Sequence, residues 1–167
     1  HPGAASQSGF VAGLVHPFTG ADHLAAMLAV GLLAGLASGR ALWLFPAGFV
    51  TAMLVGAGTG LAGWQAPAVE GVILASVIGF GAATMLRISL PTGVMLAVVA
   101  FFGFFHGFAH GQEAPLGGVA RYMVGFTFAT AALHLVGTLI GRNAPVLATR
   151  AVGAAVLLLG IGLAALA

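Results

Sequence analysis

Long apolar stretches with almost no charged residues dominate this sequence and restrict the folds open to it. Its 167 residues include five Lys and Arg and three Asp and Glu, and 60% are hydrophobic. A soluble domain is about a quarter charged, because it needs a polar exterior. Here the exterior must face lipid, and each membrane crossing takes about 20 mostly apolar residues in a helix. The sequence therefore predicts an all-α, polytopic helical bundle that forms a single transmembrane domain over residues 1–167.

Prolines, glycines and arginines divide the apolar sequence into about six predicted transmembrane helices. Pro67, Pro91 and Pro145 each stand at a predicted helix start, where the missing N–H costs little. Residues 8–16 are too few to cross a bilayer, and Pro17 interrupts the chain directly after them. We therefore expect a short or re-entrant N-terminal helix before the first span. The predicted spans are 20–38, 41–63, 67–86, 91–111, 117–140 and 145–166.

Two glycine stripes predict where helices pack most closely. Glycines recur every four residues on the first and fourth spans, and helix backbones can approach one another along such stripes. The glycines are Gly31, Gly35 and Gly39 on the first span and Gly103, Gly107 and Gly111 on the fourth.

The arginines indicate how the helices cross the membrane. The chain begins at His1 without a methionine or an apolar leader. This start predicts a removed signal peptide and an N-terminus outside the cytoplasm, and trimming of a longer chain is the alternative. Four arginines then fall on the cytoplasmic side and one outside, as the positive-inside rule expects. The cytoplasmic residues are Arg40, Arg87, Arg142 and Arg150, and the outer one is Arg121. Because these charges are few and dispersed, they do not form a nucleic-acid-binding surface.

The first polar motif lies at the break before the first full span and contains His16, Asp22 and His23. Irregular backbone at membrane depth is tolerated only where it is buried in protein or lines a polar cavity. Thr19 and Asp22 also have the spacing of a helix capping box, so capping is an alternative or additional role for Asp22.

The second polar motif contains His106, His110 and Glu113 at the outer end of the fourth span. Residues four apart share a helix face, so the two imidazoles point the same way with about 6 Å of axial rise between them. The length of the span places His110 near the external surface and His106 about one turn inside. Such a pair could clamp one cation.

Together the motifs predict one metal site on the outer side of the membrane. A single membrane histidine is commonly a packing residue, but four histidines and two acids gather here in a chain with little other polarity. Without cysteine, any metal must be held by nitrogen and oxygen. Imidazole suits first-row divalent metals, whereas magnesium and calcium prefer more oxygen ligands.

Two further histidines are weaker candidates for metal ligands. His1 could chelate through its imidazole and α-amino group, although a terminus is commonly mobile. His134 lies deep in the fifth span, where it could relay a metal inward. A neutral histidine bonded to a nearby threonine or backbone carbonyl is the alternative for His134.

At these motifs the sequence resembles the HupE/UreJ family of bacterial membrane proteins, which is associated with nickel uptake in organisms that mature hydrogenase or urease. The matching segments are HPFTGADHLAAMLAVG over residues 16–31 and FHGFAHGQE over residues 105–113. The related nickel/cobalt permeases have four residues between the first His and the Asp of a similar motif, whereas five separate His16 from Asp22 here.

The resemblance implies secondary transport of nickel, alternatively cobalt, from the periplasmic side of a bacterial inner membrane into the cytoplasm. The protein is then not an enzyme, and its N-terminus is periplasmic. The expected partners are the metal ion, the lipid bilayer and a further copy of the chain in a homo-oligomer. No cofactor is expected, since the metal is cargo. The implied metal-handling residues are His16, Asp22, His23, His106, His110 and Glu113.

Two other functions would use the same residues. An intramembrane zinc hydrolase has three protein ligands, an activated water and a carboxylate base, but no serine or oxyanion device accompanies these motifs. A membrane metal sensor or partner protein would bind the ion without moving it, and it would share every ligand with a transporter.

Overall fold

The protein is a bundle of seven α-helices in the part of the chain that the structure describes. The structure is a computed structural model that describes residues 2–114 and 117–167, with side-chain surroundings from residue 9 onward. The predicted all-α fold is confirmed. The helices are α1 (Pro2–Val15), α2 (Ala21–Ala37), α3 (Ala41–Leu61), α4 (Val69–Leu86), α5 (Thr92–Glu113), α6 (Val119–Asn143) and α7 (Val146–Leu166), with a 3₁₀ turn over His16–Phe18 after α1.

The predicted spans agree with the helices α2 to α7 to within three residues at every end. Pro91 and Pro145 directly precede α5 and α7, as predicted. Five helices, α3 to α7, are long and apolar enough to cross a membrane. The predicted first span, α2, has only 17 residues. It qualifies as a span only together with the preceding helical segment Gly9–Phe18, which meets it at a bend of 78°.

Glycines set the distance between the paired helices α3 and α5. A side chain at Gly103, Gly107 or Gly111 would collide with the backbone of α3. In α2, Gly31 and Gly35 lie in the same way on the backbone of α6. The Gly39 part of the predicted stripe is wrong, because this residue lies beyond the end of α2 with φ +57° and has open space around it.

The bundle has two chemically different ends. Arg87 donates a hydrogen bond from Nη1 to the Thr149 hydroxyl (3.4 Å), and Arg150 donates one from Nε to the Met85 carbonyl (2.9 Å). These contacts hold the last turn of α4 beside the first turn of α7. We call this end, which also carries Arg40 and Arg142, the arginine end, and the opposite end the histidine end. Large apolar side chains cover the outer faces between them; Trp43, Phe128 and Leu147 are 61%, 64% and 80% exposed.

The N-terminal helix packs against the first two turns of α6 at the histidine end. Gly13 lies against the carbonyl of Tyr122 in α6, and Gly125 lies against that of Phe10 in α1. Pro17 and the extended backbone at Gly20 separate α1 from α2. The break predicted from sequence is therefore present, and the chain bends there by 78°, so that α1 packs on the start of α6 instead of continuing in line with α2.

Candidate metal site

The two polar motifs meet at the histidine end and form one continuous cluster. The 3₁₀ turn supplies His16, the first turn of α2 supplies Asp22 and His23, and the last two turns of α5 supply the rest. All six residues predicted from the two motifs therefore lie in the cluster. They are His16, Asp22, His23, His106, His110 and Glu113.

The outer half of the cluster consists of His16, His110 and Glu113. Glu113 Oε2 lies 3.6 Å from His16 Nε2 and 3.6 Å from His110 Nδ1. One potential ligand atom from each residue lies within 4.8 Å of the other two. The Glu113 side chain is 56% exposed and that of His16 is 33% exposed. This half therefore has the spacing of a metal site and is open to the surroundings.

The inner half of the cluster consists of His23, His106 and His110. The ring centroid of His23 lies 4.4 Å from that of His110 and 5.1 Å from that of His106. His110 belongs to both halves, since its ring is also 4.8 Å from that of His16. The cluster therefore has no break between the exposed Glu113 and the buried His106.

Hydrogen bonds determine which ring nitrogen of His23 and of His106 keeps a free lone pair. The Asp22 carboxylate oxygen lies 2.8 Å from His23 Nδ1, and the Phe102 carbonyl oxygen lies 2.9 Å from His106 Nδ1. A carbonyl or carboxylate oxygen can only accept, so each Nδ1 carries the proton and each Nε2 keeps its lone pair. Both Nε2 atoms are buried and have no hydrogen-bond partner among the described residues. A carboxylate or carbonyl behind an imidazole is the usual support of a metal-ligating histidine.

His110 is completely buried by its neighbours (0% exposed), and it lies in the last turn of α5, at the histidine end of the bundle. His16 lies over it from one side, and the Phe126 ring packs against it with centroids 4.1 Å apart. These neighbours belong to other parts of the chain, so the burial of His110 could not be predicted from the sequence of one span.

Asp22 does not cap α2 through a box with Thr19, so that alternative is wrong. The N-cap residue of α2 is Gly20, which makes no side-chain cap. The Thr19 hydroxyl donates to the His16 carbonyl instead (2.7 Å). Asp22 accepts from the backbone N–H of His23 (2.8 Å) as well as from its ring. Its carboxylate therefore orients a histidine and satisfies a free N–H of the first turn.

His134 lies outside the cluster, on the arginine side of it. The Phe49 ring separates the two, with centroids 5.1 Å from His134 and 5.4 Å from His106. His134 is 1% exposed, and neither ring nitrogen has a hydrogen-bond partner in the described part of the chain. The alternative of a histidine bonded to a threonine or carbonyl therefore does not hold. The prediction for His1 lies outside the described residues.

Two aromatic neighbours of the cluster were not predicted from the sequence. Tyr122, the chain's single tyrosine, has its ring 5.6 Å from that of His16. Its buried hydroxyl has no partner among the residues the structure describes. Tyr122 and Phe126 are four residues apart and share one face of α6. That periodicity could have linked them to one another, but not to the cluster.

This fold and this site define a polytopic helical membrane protein with a partly buried cluster of imidazoles and carboxylates suited to a divalent transition metal. The HupE / UreJ protein family matches residues 1–163. Protein HupE of Rhizobium leguminosarum bv. viciae is 38% identical over 161 residues, which cover 93% of this chain and 84% of that protein. No solved structure matches the chain.

The chain belongs to the HupE/UreJ family. This is a family of metal-transport-type membrane proteins, as the resemblance implied. The chain is therefore not an enzyme, and the zinc-hydrolase alternative is set aside.

Proposed function

We propose that this protein is a secondary transporter that takes a divalent transition metal, nickel or alternatively cobalt, from the periplasm into the cytoplasm. The observation that carries this proposal is the pair of buried, unpartnered Nε2 atoms on His23 and His106. Leaving buried polar atoms unsatisfied costs about 1–3 kcal/mol each. A transient metal ligand is a physical reason to keep them so.

The cluster supports a stepwise entry of the cation. Glu113 is the most exposed group and carries a negative charge that attracts a hydrated cation. With His16 and His110 it forms the first ligand set, where water ligands can be replaced by protein atoms. His110 is shared with the inner set, so the ion can pass to His23 and His106 without returning to solvent. Asp22 orients His23 and adds a second negative charge near the buried ion.

The donor chemistry favours a transition metal over magnesium or calcium. The cluster offers four imidazoles and two carboxylates, and hard cations prefer sites built mainly from oxygen. Ligand type does not separate nickel from cobalt, since affinities follow one order across such sites. The choice of nickel rests on the family resemblance.

The inward direction is supported by the distribution of charge. Arg40, Arg87, Arg142 and Arg150 lie at the arginine end, whereas Arg121 lies at the histidine end. By the positive-inside rule the arginine end is cytoplasmic. In a bacterial inner membrane the histidine cluster then faces the periplasm, where the metal is supplied.

Metal flux into phospholipid vesicles tests the proposal and separates transport from binding alone. Purified protein is reconstituted, and nickel entry is followed with an internal metal-sensitive dye. We expect uptake by the wild-type protein, and loss of both uptake and equilibrium binding in His23→Ala and His106→Ala. Glu70→Gln, at an exposed carboxylate of the first turn of α4, is the control and should transport normally. Nickel binding without uptake by the wild-type protein would instead identify a sensor or partner protein.

A further inference from the structure

A second group of potential metal donors lies inside the bundle, between the histidine cluster and His134. It consists of Met27 in α2, Met53 in α3 and Thr130 in α6, and each of these residues is 0% exposed. The Thr130 hydroxyl oxygen lies 3.4 Å from the Met27 sulfur and 4.0 Å from the Met53 sulfur. Three helices therefore direct two thioethers and one hydroxyl to a single buried point.

The direction of the Thr130 hydroxyl is unusual for this protein. The hydroxyls of Ser76, Thr84 and Thr149 each donate to a carbonyl of their own helix, at 2.6 to 2.9 Å. That is the common behaviour of hydroxyl side chains in membrane helices. Thr130 is aimed at two sulfur atoms instead, and these are weak acceptors. Its oxygen lone pairs are therefore free for another ligand.

The group lies on the line that a metal would follow inward. Met27 is one turn beyond His23 on α2, and Thr130 is one turn beyond Phe126, which packs on His110. One further turn along α6, about 6 Å, leads to His134. The unpartnered imidazole of His134 also lines an open groove of about 350 Å³ between α3 and α6, whose walls include the exposed Trp43 and Leu135. The groove continues toward the arginine end.

We propose that Met27, Met53 and Thr130 form a relay site through which the transported metal passes from the histidine cluster to His134. The proposal rests on the proposed function. Thioether sulfur is a soft, polarisable donor that accepts first-row transition metals and gives little to magnesium or calcium. The relay therefore adds a second selection step that excludes hard cations.

Because the relay site carries no negative charge, it suits brief passage of a cation better than stable binding. Its donors and His134 are neutral, whereas the histidine cluster contains the carboxylates of Asp22 and Glu113. Two positive charges held only by neutral donors in a buried site are poorly compensated. An ion therefore stays briefly, and conduction requires sites that are weak enough to leave.

The test measures uptake and equilibrium binding for the same variants of the full chain. Met27→Leu combined with Met53→Leu removes both sulfurs at nearly constant volume. We expect nickel uptake into vesicles to fall on the order of ten-fold, because losing both sulfurs raises the activation barrier for passage through the relay site. Equilibrium nickel binding in detergent should stay at the wild-type value. Met123→Leu, at a buried methionine that clusters with Ala57 and Tyr122, is the matched control and should leave both quantities unchanged.

A second pair of variants isolates the hydroxyl. Thr130→Val removes the oxygen and keeps the shape, whereas Thr130→Ser keeps the oxygen. We expect slower uptake in the Val variant and near-normal uptake in the Ser variant. If Thr130 served only to fill space, the Val variant should transport at least as fast as the Ser variant, since Val fills the site better than Ser.

The possible failures are distinguishable. Wild-type uptake in the double Leu variant, or equal uptake in the Val and Ser variants, overturns the relay and leaves the proposed function standing. Loss of equilibrium binding together with uptake in the double Leu variant also overturns the relay, because the sulfurs would then support the histidine cluster. Nickel binding without uptake by the wild-type protein overturns the proposed function and the relay with it.

Discussion

Asp22 provides the sharpest test of how the cluster holds metal. Its Oδ1 lies 2.8 Å from His23 Nδ1 and keeps the proton on that nitrogen, so that Nε2 is free to ligate. Asp22→Ala removes both the hydrogen bond and the charge, while Asp22→Asn keeps an acceptor oxygen and removes only the charge. Changes behind a ligating histidine typically weaken metal binding by about 10–100-fold. That range corresponds to about 1.4–2.7 kcal/mol.

We expect the two Asp22 variants to fall at opposite ends of that range. Asp22→Asn should weaken nickel binding by about ten-fold and Asp22→Ala by about a hundred-fold. Isothermal titration calorimetry of the detergent-solubilised protein at pH 7.5 measures both. Glu70→Gln removes an exposed carboxylate at the same end of the bundle and controls for general charge effects. Unchanged affinity in Asp22→Ala, with binding lost in His23→Ala, would refute the orienting role.

Three further outcomes are expected. His110→Ala should weaken nickel binding at least about a hundred-fold, because both halves of the cluster share this ring. The loss should exceed that caused by changing a residue that only orients a ligand. Calorimetry measures it, and near-normal affinity would contradict a shared ligand. Nickel affinity should fall only as the pH is lowered from 7.5 towards 4, because a protonated imidazole cannot ligate and burial disfavours the protonated ring, which moves the loss below the ordinary imidazole pKa of about 6.5. Equal titration curves over that whole range would argue against histidine ligands. Gly107→Ala should lower thermal stability in detergent by about 1–3 kcal/mol, since its methyl group would collide with the Met53 carbonyl. Gly58→Ala, which has open space around the new atom, should not be destabilising, and equal melting of the two variants would contradict the close packing of α3 on α5.

The course of the chain through the membrane could be predicted because it depends on local properties. A helix needs a length of apolar residues to cross lipid, and Pro91 and Pro145 mark helix starts by their covalent structure. The predicted ends therefore agree with the helices to within three residues. The angle at the break was not predictable, because Pro17 marks where a helix stops without fixing where the next one points.

The identity of the six cluster residues also followed from the sequence. Ionisable side chains are costly in lipid, so the few that occur in the membrane helices of this chain indicate where its functional site lies. The spacing of His106 and His110 on one helix face added that they act together.

Only the tertiary structure decided which parts of the site are buried and which ring nitrogens are free to bind a metal. His110 is buried because His16, His23 and Phe126 pack around its ring, and the lone pairs of His23 and His106 are set by oxygens of Asp22 and Phe102. Such contacts depend on the relative placement of helices that are distant in the sequence. The grouping of the Met27 and Met53 sulfurs around Thr130 has the same origin. Each of the three is an ordinary membrane-helix residue by itself, and packing alone brings them together.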